Sequence, residues 1–194
     1  EGLLYTDEEL RRFITLPITE PDAVWGICDT KNKGTDFLFL PCMLQYGNDF
    51  YLTDCICDDN SNYGIQYERT SDLIVNTGMQ QCQFESNNGG DRVALEVSKL
   101  VEEKGGHCNI TTKYTESNKE TKIIVNADWV KKHVLRDREN YKPKEDYGKM
   151  MGFLLSYSVR GKNPHDDVPD GLASFALFVT TGFVRAAQII QSPV

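Results

Sequence analysis

The chain has 194 residues, 40% of them hydrophobic, and its 29 acidic against 21 basic side chains give a formal net charge of −8. That length supports one sizeable core, so residues 1–194 are read as a single domain. The acidic balance excludes a general basic nucleic-acid coat but leaves room for a local basic face. No stretch approaches the ~18 apolar residues of a membrane span, and EGLLYTDEELRRF at the start has no signal pattern, so no membrane association is expected. The opening on Glu1, without Met, fits a piece cut from a longer protein. Six cysteines, at 28, 42, 55, 57, 82 and 108, form no Cys-x-x-Cys pair. They read as reduced thiols of a cytosolic protein rather than as a zinc ribbon or disulfide framework.

TDEELRRFI (6–14) reads as a short peripheral helix capped by Thr6 or Asp7. AVWGICD (23–29), TDFLFLPCMLQY (35–46) and DFYLTDCICD (49–58) are β-branched and aromatic, and Gly47-Asn48 signals a hairpin, which predicts three antiparallel strands. The segment Asn60–Gly78 reads as a helix feeding a strand at MQQCQFE (79–85), the βαβ pattern. Val93, Ala94, Val97, Leu100 and Val101 recur at helical spacing up to Gly105-Gly106, and HCNITTKY supplies a further strand. A short helix or two is expected over 118–136, a loop to Pro143, a helix over 143–156 with Pro near its first turn, and a loop over 160–164. The last long helix is placed from about Asp166 to about Gly182. The fold class is α/β: three antiparallel strands plus parallel strands in one mixed sheet flanked by helices.

In such sheets functional groups gather at the carboxyl ends of strands. Asp29 ends one strand, and Glu85 ends another just before the turn-prone SNNGG. His165, Asp166, Asp167 and Asp170 open the last helix, where carboxylates suit the helix dipole and can cap free amides. Carboxylates from three such places would raise one another's pKa values unless a positive charge sat among them. Hard cations such as Mg²⁺ or Mn²⁺ take oxygen ligands, and two ions roughly 3.5–4 Å apart suit phosphodiester cleavage. Each residue also has an ordinary reading: Asp166 and Asp167 as helix caps, Asp29 as a surface acid, Glu85 as a loop anchor. His165 suits a loop better than a hard cation, and no phosphate-loop motif occurs, so no ATPase site is expected.

The order ICDTKNKGTDF, QFESNNGG, NKETKI and GKNPHDDVPDGLA resembles the C-terminal nuclease domain of phage terminase large subunits, from about Ala23 to Ala173. That resemblance implies a ribonuclease H-like fold and two-metal cleavage of double-stranded DNA during genome packaging. It assigns Asp29, Glu85, Asp166 and Asp167 as catalytic metal ligands for two Mg²⁺ or Mn²⁺ ions. Asp36, His165 and Asp170 are accessory candidates, with Asp170 placed one helical turn behind the metal-facing pair. It also implies an ATPase domain outside this chain, with the portal, the small terminase subunit and self-association as partners of the full-length protein, and the cytoplasm of an infected or lysogenic bacterium as its place. A Holliday-junction-resolvase-like nuclease and a non-catalytic DNA or portal docking module are the alternatives.

DNA contacts are expected first from Arg160 and Lys162 in the SVRGK loop. The basic stretch that includes Lys119, Lys122, Lys131 and Lys132 follows, and it reads equally well as a solvated helix face. Phosphate contacts of this kind would be sequence-independent and salt-sensitive.

Overall fold

The computed structural model describes residues 2–30, 37–116, 118–138 and 145–190, with backbone alone at Asn88 and 182–190. The β-branched and aromatic runs between Ala23 and Asp58 form β2 (Ala23–Cys28), β3 (Leu38–Tyr46) and β4 (Asp49–Asp58). The three pair antiparallel, with the predicted Gly47-Asn48 turn between the last two and Gly47 at a φ of +61°. Helix α1 (Tyr63–Asn76) starts where the Asn62 side chain accepts from the Ile65 amide, and it leads through Gly78 into β5 (Gln81–Glu85). The next crossover is α2 (Gly90–Glu103), which returns the chain to β6 (Asn109–Lys113). Both crossovers deliver parallel strands: β5 pairs with β2, and β6 with β5.

Two expectations fail at the other edge of the sheet. Residues 7–10 form a turn, and the predicted helix over 6–14 is replaced by a short strand, β1 (Arg11–Phe13). Leu10 and Phe13 sit three apart and both are buried, which imitates a helical face, but Tyr5 is buried as well and anchors the segment to the core. The partner of β1 is a strand missing from the expected order. Helix α3 (Lys119–His133) stops at His133, and Val134–Asp137 forms β7, parallel to both β1 and β4. The strand order is β1-β7-β4-β3-β2-β5-β6, and β3 alone runs against the others. Helix α4 covers Asp146–Ser156, starting later than Pro143, which lies outside the described residues. The last helix, α5 (Asp167–Ile190), runs past the expected end at Gly182.

Two apolar layers sandwich the sheet. Helices α1 and α2 cover one face with Leu73, Ile74, Val93, Val97 and Val101, against Cys28, Leu40, Cys82 and Phe84. Helices α3, α4 and α5 cover the other with Val130, Met150, Leu154, Leu172 and Phe175, against Ile27, Phe39, Met43 and Leu52. Successive residues of a strand point to opposite faces. Ile27 faces α5 and Cys28 faces α1 and α2, so the next residue, Asp29, returns to the α5 side. The same count along β5 puts Glu85 there too. No helix of the described residues is long and apolar enough to cross a membrane.

Candidate metal centre

Asp29 extends β2 by one bridge: its amide donates to the Phe39 carbonyl at 3.0 Å, and its carbonyl accepts from the Phe39 amide at 3.1 Å. In the parallel register Cys28 lies beside Phe84, so Asp29 and Glu85 end neighbouring strands on the same face. Helix α5 descends onto this edge because Gly171 has no side chain; a Cβ there would come within 2.4 Å of the Phe39 ring. Asp170 arrives with it. One carboxylate oxygen from each of Asp29, Glu85 and Asp170 lies within 4.8 Å of the others.

Burial and mutual repulsion govern these groups. Desolvation, followed by Glu85, Asp170 and Asp167, pushes Asp29 well above the usual carboxylate range, with Lys119 opposing. Glu85 and Asp170 are also raised, mainly by burial, although Lys122 pulls both down. Lys122 is a buried ammonium 2.8 Å from Asp170 Oδ1, and it donates to Ser174 Oγ at 2.9 Å. Lys119 sits at the first position of α3 with its Nζ 2.6 Å from Asp166, 3.7 Å from Asp167 and 3.9 Å from Asp170. Burial works against its charge, but Asp166, Asp170 and Asp29 outweigh this and hold its pKa above the ordinary lysine value.

The fold has counterparts among solved structures. The chain superposes on the human cytomegalovirus terminase nuclease domain, soaked with manganese and bound to an inhibitor, at a TM-score of 0.65 and 12% identity, covering 91% of this chain and 94% of that one. Against the large terminase nuclease of thermophilic phage G20c the TM-score is 0.55 at 12% identity, over 89% and 96% of the two chains. Against the large terminase of another thermophilic bacteriophage, in complex with ADP, it is 0.61 at 16% identity, over 92% of this chain but only 45% of that one. No family model and no curated protein matches the sequence. The chain has the ribonuclease H-like fold of the terminase nuclease domains.

Within this terminase-nuclease fold the acids are arranged differently from the sequence expectation. Asp170, expected one turn behind the metal-facing pair, is the helix α5 acid that joins Asp29 and Glu85. Asp167 turns its Oδ2 to the Phe37 amide at 3.2 Å, and Asp166 holds Lys119. The reason is helical geometry: four residues make about one turn, so Asp166 and Asp170 share a face, with Asp170 deeper along it. His165 packs its ring against Phe37 and Phe153, centroids 5.3 and 4.7 Å away, and its Nδ1 is buried without a partner among the described residues. Asp36 lies outside the described residues.

The basic candidates divide by position. Lys122 is buried in its pair with Asp170, so the expectation that it contacts DNA does not fit. Lys131 pairs with Glu9 and lies over the Tyr5 ring. Lys131 and Lys132 sit near the last turn of α3, where β7 begins, which is the end of the sheet away from the acids. Arg160 and Lys162 are exposed in the loop before α5, on the acids' side.

Two supports escaped sequence reading. Asn87 donates to the Thr115 carbonyl at 2.8 Å and accepts from the Thr115 amide at 3.1 Å, tying the loop after β5 to the loop after β6. Gly90 leaves room for the Glu85 carbonyl, which a Cβ would approach to 1.7 Å. The paired glycines after Asn88 were the available signal. The donor set at the edge is all oxygen and too negative for its burial, so a hard divalent cation fits it.

Proposed function

We propose that this chain is a metal-dependent endonuclease domain that cleaves double-stranded DNA during viral genome packaging. The observation that carries the reading is the convergence of Asp29, Glu85 and Asp170 at the carboxyl edge of a sheet whose fold matches terminase nuclease domains. Mg²⁺ or Mn²⁺ held there would supply Lewis-acid stabilisation of the charge that builds on the phosphate oxygens and would lower the pKa of an attacking water. Asp29, Glu85 and Asp170 would hold one ion, and Asp166 and Asp167 are the ligands proposed for a second. Lys119 holds Asp166 in place and carries positive charge to the rim where a scissile phosphate would sit. Arg160 and Lys162 are the proposed phosphate contacts beside it. The wider packaging partners, portal and small subunit, and a setting in the bacterial host cell belong to the same proposal.

The test is nicking and linearisation of supercoiled plasmid with Mn²⁺. Asp29→Asn and Asp170→Asn are each expected to reduce the rate at least about 100-fold, as loss of one pre-positioned electrostatic group at a reacting centre does. Undiminished cleavage by Asp29→Asn would remove the reading.

A further inference from the structure

Sheets of parallel strands ordinarily have both faces covered by helices. Here α5 packs on β2 and β3, and among the described residues no helix covers the α5-side face of β5 and β6. Register and alternation place three cross-strand pairs on that open face: Gln81 beside Asn109, Gln83 beside Thr111, and Glu85 beside Lys113. The row is polar throughout, its first pair is joined by a 2.8 Å hydrogen bond from Asn109 to Gln81, and it ends on an acid of the metal centre. It is also the floor of a continuous groove. The cleft at the acids is lined by Asp29, Glu85, Gln83 and Lys113. Gln83 and Lys113 also line the two cavities that continue from it, of about 250 and about 450 Å³. The walls carry apolar groups in the open: Tyr114 is 64% exposed and Leu177 36%.

A surface that served only solubility would carry charge on such an open face. Away from the Glu85–Lys113 pair at its acid end this row presents neutral amides and a hydroxyl, with the Tyr114 ring and Glu116 on its wall. Phosphate and sugar oxygens accept hydrogen bonds from neutral amide groups, and a ring beside such a row offers a base somewhere to stack. We infer that this face holds the DNA strand as it leaves the metal centre, with Gln81, Gln83 and Asn109 donating to its backbone, Lys113 contacting one phosphate and Tyr114 stacking on a base. The strand's occupancy of the groove rests on the nuclease reading for its direction and on continuity with the acid cleft for its path.

The experiment measures binding and cleavage separately. Affinity for a fluorescent DNA duplex with a single-stranded extension is measured by anisotropy in Ca²⁺ over a range of salt, and cleavage of the same DNA is followed in Mn²⁺. The triple variant Gln81→Ala, Gln83→Ala, Asn109→Ala is expected to bind about tenfold more weakly at an unchanged salt slope, since it removes uncharged hydrogen bonds, with the cleavage loss falling on KM. Lys113→Gln is expected to reduce the salt slope by about one, the signature of a single lost phosphate contact. Wild-type affinity and slope in both variants would overturn the inference and leave the face to a protein partner. Cleavage by the wild type together with unaltered binding in the variants sinks the groove alone. Weakened variant binding without wild-type cleavage sinks the nuclease reading alone, and a wild type that binds no DNA sinks both.

Discussion

Replacing Lys122 with Met tests the electrostatics of the acid cluster without touching a carboxylate. The side chains of Lys122 and Asp170 are each only 4% exposed, so solvent screens their 2.8 Å pair very little. Met keeps most of the length and apolar contact of Lys while deleting the charge, which strands Asp170 in a buried site beside Asp29 and Glu85. Breaking one side of a buried pair costs about 3–5 kcal/mol. In a protein of this size each kcal/mol moves the melting temperature by about 2–4 °C, so a fall of roughly 6–20 °C is expected. Calorimetry at pH 8 without divalent cations is the assay. Asp170 is already raised, so the cost of its charge is absent below the unfolded carboxylate pKa, grows as pH rises towards the folded value, and is complete above it. The deficit of the variant should therefore be larger at pH 8 than at pH 5. Adding Asp170→Asn to Lys122→Met should recover much of the loss. A fall of less than about 2 °C, with no recovery in the double variant, would refute the pairing as an energetic feature.

Because Asp29, Glu85 and Asp170 are all raised, the metal-free protein should lose stability as pH rises through the range above ordinary carboxylate values, and saturating Mn²⁺ should flatten that dependence in thermal melts. Mn²⁺ at 100 times its dissociation constant should add about 2.7 kcal/mol, or roughly 5–11 °C, measured by differential scanning fluorimetry. Asp29→Asn should melt higher than wild type without metal and lose the Mn²⁺ shift. Gly90→Ala forces a methyl group onto the Glu85 carbonyl, so a loss of about 3 kcal/mol in urea unfolding is expected, together with weaker Mn²⁺ binding by calorimetry.

The middle of the fold was legible because its signals are local. The β-branched and aromatic runs from Ala23 to Asp58, the Gly47-Asn48 turn and the two helix-to-strand crossovers each lie within a few residues of their cause, and all appear where expected. The β1 edge was not legible. Thr6–Ile14 carries helix-compatible spacing, and only the distant Val134–Asp137 strand turns it into sheet, a contact across more than a hundred positions that no local pattern encodes. The same limit explains the site. Asp29 and Glu85 were visible as strand-ending acids, but the placement of α5 that brings Asp170 beside them depends on how closely Gly171 approaches Phe39. Lys119 and Lys122 looked like surface cations because their carboxylate partners lie some fifty residues away in the chain.

Phe39 touches both ends of that arrangement. Its backbone clamps Asp29 and its ring meets the helix beside Asp170. One residue, its side chain neither charged nor able to ligate, thus works as a caliper between two acids that belong to different elements. A slimmer or bulkier residue at position 39 would reset the gap between the jaws while leaving every oxygen donor in place.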